Sequence, residues 1–202
     1  MMVADRRIRP ATAEDMDALF EICLKTADAG KDGSPLYSDP KLPGYLWAAA
    51  YLKFWPEFSF VLDEGGRALG YALAAPDSAA FAVLLEQEWW PEVRRAVAGL
   101  VPTRPGDAAI LQRIAHPETH APWLFIDYPA HMHINLLPEA QSSGWGRKMM
   151  DVGLEALRAA GVRGVHLGLA PKNEAAKGFY RHLGFEDVSR DGHVTFAMRL
   201  NP

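Results

Sequence analysis

The order of patterns between residues 131 and 183 restricts this chain more than any other feature. His131–Leu137 is an extended run that stops at Pro138. From Gly144 to Ala160, Met149, Val152, Leu154 and Leu157 recur at helical spacing, and Gly161 stands where a C′ glycine belongs. Gly164–Leu169 reads as a buried strand. Asn173 can cap a helix running to Leu183, with Gly184 as its stop. Strand, helix, strand and helix in this order require a crossover connection, hence parallel neighbours in a sheet. Hairpins are expected on the flanks, at Phe58–Leu62 with Ala68–Ala75, and at Phe185–Ser189 with His193–Leu200 around Asp191-Gly192. The fold class is therefore α/β, with a mixed central sheet flanked by helices.

The rest of the chain fills in around that unit. Arg6–Arg9 reads as a short first strand, and residues 13–27 as an amphipathic helix with Cys23 in its apolar stripe. Residues 28–44 form a long Gly-, Pro- and Asp-rich loop, the kind that is more often functional than connective. A helix is expected from Tyr45 to about Trp55. Residues 79–99 have helical spacing interrupted by Pro91, residues 106–115 form a second helical piece, and Trp123–Ile126 is read as a short strand. The whole is expected to be a single domain of residues 1–202. It carries a helical insertion of about 50 residues, at about 77–122, between its third and fourth strands.

Composition removes several function classes. At 49% hydrophobic and 23% charged, the 202 residues are ordinary globular material, which excludes disorder and a coiled coil. One cysteine excludes a disulfide framework and a Cys-based zinc cluster, and fits a reducing, cytoplasmic setting. Met1–Pro10 carries three arginines with no apolar stretch behind them, so no signal peptide is expected, and no run approaches the ~18 apolar residues of a membrane span. A net charge of −4 argues against a nucleic-acid partner. Residues 141–202 hold nine Lys and Arg against six Asp and Glu, whereas residues 1–140 hold 12 against 19. An anionic ligand suits the first region and a cationic one the second.

Gln141-Ser142-Ser143-Gly144-Trp145-Gly146-Arg147 follows a strand and opens a helix. Amides at such a junction lack helical partners and carry the positive end of the helix dipole, and glycine lets a phosphate approach the main chain. The segment is neither a dinucleotide fingerprint, because Met149 occupies the third glycine position, nor a P-loop, because the Lys-Ser/Thr pair is missing. A glycine-rich turn without a ligand is the plainer alternative.

A second segment, Asn173-Glu-Ala-Ala176-Lys-Gly-Phe179-Tyr180-Arg-His-Leu-Gly184-Phe185, decides between them. Together the two segments resemble the signature blocks of the GNAT superfamily of N-acetyltransferases. Gln141, Gly144 and Gly146 match the first block. Asn173, Ala176, Phe179, Tyr180, Gly184 and Phe185 match the second, and one strand separates the two blocks, as in the family. Trp123–His133 and Thr26–Asp32 further resemble the acetyltransferase-like C-terminal domain of O-GlcNAcase and its stand-alone bacterial relatives. Tight joining of the third and fourth strands is common in the family; here roughly 55 residues separate Ala75 from His131.

The resemblance implies acetyl-CoA as cosubstrate, no metal, and direct acetyl transfer to an amine acceptor, small or peptidic. It implies that the amides of 142–147 cradle the pyrophosphate and that Ile134, Leu136 and Leu137 border the pantetheine. It further implies that Asn173 orients the pantetheine arm, with Ala176 and Phe179 beside it, and that Tyr180 protonates the leaving thiolate, a role open to a phenol. The usual glutamate base falls near Ala130, which cannot serve. His131, His133 and Asp127 remain as candidate bases, and Asp28 and Asp32 as ligands for a cationic acceptor. A monomer or homodimer is expected, without nucleic-acid or membrane partners. Two rival readings are a non-catalytic acetyl-CoA- or partner-binding module, and a zinc site built from His116, His120, His131 and His133.

Overall fold

Among the residues that the computed structural model describes, 5–117 and 122–200, the strands form one mixed sheet in the order β1-β2-β3-β4-β5-β7-β6. The strands are β1 (Arg6–Pro10), β2 (Ser59–Glu64), β3 (Arg67–Ala75), β4 (Ala130–Leu136), β5 (Gly164–Leu169), β6 (Glu186–Asp187) and β7 (Val194–Arg199). The crossover expected from the 131–183 pattern is present. β4 pairs in parallel with β5, while β1–β4 form an antiparallel meander and β5, β7 and β6 a second antiparallel set.

The helices are α1 (Met16–Lys25), α2 (Leu42–Trp47), α3 (Ala49–Phe54), α4 (Ser78–Leu84), α5 (Trp90–Ala96), α6 (Asp107–Ala115), α7 (Pro122–Asp127), α8 (Trp145–Ala159) and α9 (Glu174–His182). Side chains alternate across β4, and the two sheet faces receive different helices. Met132 meets Gly153 of α8, where an added Cβ would stand 2.4 Å from the methionine methyl. His131 and His133 face the other way, toward α3 and α2. Cys23 of α1 is buried on that side, as its spacing requires. Among the described residues, no helix is long and apolar enough to cross a membrane.

Two elements differ from the sequence reading. Trp123–Ile126 is helical, within α7, and not a strand. Four apolar residues are too few for periodicity to separate the two states. Pro122 fits the first turn of a helix, and the Tyr128 amide donates to the Leu124 carbonyl one turn back, at 2.8 Å. The segment expected as one helix from Tyr45 to Trp55 is two, broken at Ala48 (φ −133°, ψ −55°). Elsewhere the interruption near Pro91 takes the form of a π turn over Leu85–Trp89, with the proline in the first turn of α5.

The break at Ala48 changes where one backbone group points. The Tyr51 amide bonds the Ala48 carbonyl at 3.2 Å, which releases the Trp47 carbonyl from the helix. His133 Nδ1 donates to that carbonyl at 2.6 Å and ties α2 to β4. Beside it the Asn135 amide donates to the Tyr71 hydroxyl at 2.8 Å. Loss of solvent around the ring pulls His133 down to about 4 from its ordinary 6.5.

That depression sets a sign. Between pH 6.5 and about 4 the unfolded chain binds a proton at His133 that the folded chain does not, so stability falls as pH drops through this window. His133→Asn keeps a donor but cannot titrate, and should flatten this part of the curve of Tm against pH. Identical slopes in the two proteins would show that His133 is not the group responsible.

Candidate functional site

The parallel pairing of β4 with β5 lasts two rungs, Ala130↔Val165 and His131↔His166. Beyond them β4 continues to Leu136 paired only with β3, and β5 continues to Leu169 paired only with β7. Two backbone edges therefore face each other inside a sheet without a ladder between them. Such groups need partners. An extended ligand carrying amides satisfies them as an added strand would. Ile134 and Leu136 lie along the β4 side of this split, and Leu137 is buried at its end.

The split opens at the start of α8. Ser142 (φ 57°) and Gly144 (φ 80°) take left-handed conformations, and Gly144 serves as the N-cap. A Cβ on Gly144 would meet nothing within 4 Å, so the space over this turn is open. The Gln141 side chain donates to the Leu136 carbonyl at 2.8 Å, and the Ser143 hydroxyl to the Ala140 carbonyl at 3.1 Å. Both bonds hold the turn against the end of β4 and leave the first amides of the 15-residue α8 pointing outward. Arg147 pairs with Asp151 at 3.7 Å, and Lys148 lies over the Trp145 ring. An anion at this turn meets backbone donors and a positive dipole end.

α9 closes the same region. A Cβ at Gly146 would stand 3.4 Å from Phe179 and 3.5 Å from Leu136, so α8, α9 and β4 converge there. Asn173 caps α9, its side chain accepting from the Ala176 amide at 3.1 Å. Tyr180 is buried with its ring against Phe179, Phe185 and Phe196. Among the described residues no side chain hydrogen-bonds its hydroxyl, and burial lifts this phenol above its ordinary range. It stays protonated throughout the neutral range.

His131 occupies the last rung before β4 and β5 part. Its Nδ1 is 2.8 Å from the Ser78 hydroxyl oxygen, and its ring lies against Tyr51, Phe81 and His166. The other acidic candidates are elsewhere. Asp127 precedes β4, pairs with Arg199 at 3.6 Å, and sits at the opposite end of the strand from the α8 turn. Asp28 is exposed and closes a small turn with Lys31. Asp32 shares a shallow groove with Lys25, Arg67 and Leu137, where the Ser34 hydroxyl and amide, with Lys25, hold it at about 2. Among the described residues no three metal-ligating side chains converge, and His120 of the zinc reading lies outside them. Ser78 and the Trp47 carbonyl went unseen in the sequence. In the structure Asp77 caps α4, its side chain accepting from the Ala79 and Ala80 amides, and Ser78 follows it as the first residue of the helix.

With this geometry in view, the relatives of the chain are informative. Residues 24–185 match the acetyltransferase (GNAT) family. The crystal structure of SsHAT superimposes with a TM-score of 0.90 at 35% identity, covering 98% of this chain and 100% of that one. Protein O-GlcNAcase of Rattus norvegicus is 25% identical over 191 residues, 91% of this chain, and the chain spans about one fifth of that curated relative's length. The structure of yncA from Salmonella typhimurium with its cofactor acetyl-CoA shares the fold, with a TM-score of 0.58 at 14% identity over 98% of this chain and 96% of that one. On the family match and the SsHAT likeness together, the chain belongs to the acetyltransferase (GNAT) family.

Proposed function

We propose that the chain transfers an acetyl group directly from acetyl-CoA to an amine, as one domain working in the cytoplasm, with residues 77–122 an insertion into the family fold. The observation that carries this reading is the two-rung pairing of β4 with β5, which leaves an unladdered cleft leading to the open turn of α8. The residues present fit acetyl-CoA. Outward amides over Ser142–Arg147 suit a pyrophosphate, and the facing edges of β4 and β5 suit a chain carrying two amides. When bound, acetyl-CoA supplies the activated acyl group.

The chain's own residues then handle two protons. His131, at the mouth of the split, takes one from the acceptor amine as its nitrogen bonds the acetyl carbon. Tyr180 gives one to the departing sulfur. Both residues reset through solvent, so the net change is one amide and one thiol formed. His133, held near 4 and tied to Trp47, is a poor base at neutral pH and serves as a strut. The acidic bias of residues 1–140 favours a cationic acceptor. Cys23 is buried and pushed up to about 12, so it offers no thiolate for an acyl-enzyme.

Calorimetry with acetyl-CoA tests the cofactor site. Gly144→Ala carries only the strain of a left-handed residue and should weaken binding modestly. Gly144→Glu adds a carboxylate where an anion belongs and should abolish it. Absence of binding to the wild-type chain at millimolar acetyl-CoA would remove the proposal. In an amine-panel assay, Tyr180→Phe should lower kcat by about 10²–10⁴-fold with acetyl-CoA affinity unchanged, because the proton moves only in the transition state. A fully active variant would take Tyr180 out of the mechanism. Cys23→Ala should keep its turnover, and a folded but inactive variant would argue for a covalent route.

A further inference from the structure

We infer that Ser78, at the start of α4, positions His131 for proton abstraction by fixing its tautomer. The inference rests on the reading of His131 as the base. The geometry around Ser78 is unusually restrictive. Its amide donates to the Pro129 carbonyl at 2.7 Å, and its hydroxyl reaches the same carbonyl at 2.7 Å. A carbonyl has no proton to give, and an O···O contact this short without a hydrogen would set lone pairs against each other, so we place the hydroxyl hydrogen on that bond. Ser78 Oγ is also 2.8 Å from His131 Nδ1. With its one hydrogen committed to Pro129, Oγ is left to accept, and Nδ1 must carry the proton. The neutral ring then bears its lone pair on Nε2.

Packing fixes the ring as firmly as the hydrogen bond fixes the proton. Tyr51 from α3, Phe81 from α4 and His166 from β5 lie 5.2, 5.3 and 5.6 Å from it, centroid to centroid. Ser78 itself is buried and Asp77 caps its helix, so the serine is held on a rigid element. The helical connection between β3 and β4 therefore reaches under the sheet to set the state of a residue on β4. In water, histidine exchanges between two neutral tautomers; here one is selected before the acceptor arrives. Ser78 exchanges no proton in the reaction and is a positioning residue.

Two measurements on the intact chain test this. The first is ¹⁵N NMR of the histidine side chains at a pH where the rings are neutral, with the His131→Gln variant identifying the His131 signals. The expected result is a proton on Nδ1 in the wild type, lost to a mixed or Nε2-protonated ring in Ser78→Ala and kept in Ser78→Thr. The second is steady-state kinetics on the amine acceptor. Ser78→Ala should lower kcat by about 10- to 100-fold with acetyl-CoA affinity unchanged, and should add nothing in the His131→Gln background. A wild-type ring protonated on Nε2 overturns the inference, as does a tautomer indifferent to Ser78→Ala, or an equal loss from Ser78→Ala with and without His131. If Ser78→Ala does not fold, the wild-type and Ser78→Thr spectra decide. A chain that shows the Nδ1 tautomer but acetylates no amine would refute the proposed function while leaving the Ser78–His131 contact intact.

Discussion

Two rungs of parallel pairing, Ala130↔Val165 and His131↔His166, hold the two antiparallel parts of this sheet together. Everything at the site depends on their being so few. A sheet that stayed paired to Leu136 would satisfy every backbone group and leave no cleft. A sheet with no rungs would have no reason to keep its two parts in register. The short seam is stable because helices and apolar side chains brace it. Met132, Met150, Leu154, Val165, Leu167, Tyr180 and Phe196 share one buried cluster that spans both sides of the split. Cleft and core are thus built from the same strands, with side chains closing one face while backbone edges remain available at the other.

Much of this was legible in the sequence because it rests on local rules. The crossover from 131 to 183, the cap at Asn173, the stop glycines Gly161 and Gly184, and the turn at Asp191-Gly192 each follow from spacing and residue type. The structure gives these last four residues positive φ at Gly161, Gly184, Asp191 and Gly192, the conformations such positions require. The family blocks located the α8 turn and α9 for a similar reason, since an open left-handed turn demands glycine at a fixed place. What stayed hidden depends on tertiary partners. Nothing in Tyr45–Trp55 announces a break at Ala48, because the break is stabilised by the bond from His133 to the Trp47 carbonyl, 86 positions away from that tryptophan. Nothing in Trp123–Ile126 separates helix from strand, because four consecutive apolar residues show no period of either kind. The length of the β4–β5 seam is likewise a property of packing, beyond the reach of either strand's own pattern.

The candidate bases show how environment distributes roles among residues that look equivalent in a string of letters. His131 and His133 are two positions apart on one face of one strand, yet each Nδ1 has a different partner. The Trp47 carbonyl fixes the tautomer of His133 in a site whose burial holds the ring near 4. That makes it a reliable tie between α2 and β4 and a weak acceptor of protons at neutral pH. His131 Nδ1 lies 2.8 Å from a hydroxyl that also bonds the Pro129 carbonyl, at the point where the strands part. The carboxylates are sorted by the same physics. Burial would lift Asp107, but the amides of Ser38, Thr103 and Arg104 outweigh it and hold it at about 2, which pins the 28–44 loop to α6. Asp32 is held equally low by Ser34 and Lys25.

A carboxylate held near 2 is as poor a proton acceptor at neutral pH as a thiol pushed to about 12 is a poor nucleophile. Each has given up reactivity for a structural bond or for burial. Tyr180 goes the other way, since the burial that raises its phenol also keeps the proton in place until a stronger base develops beside it. In the mechanism proposed above a departing thiolate is such a base, whereas a neutral thioester is not. On that proposal, donation waits on bond breaking. The aromatic packing of Tyr180 against Phe179, Phe185 and Phe196 is then compatible with the proposed chemistry: it fixes the ring and raises the phenol without spending the hydroxyl on a side-chain bond.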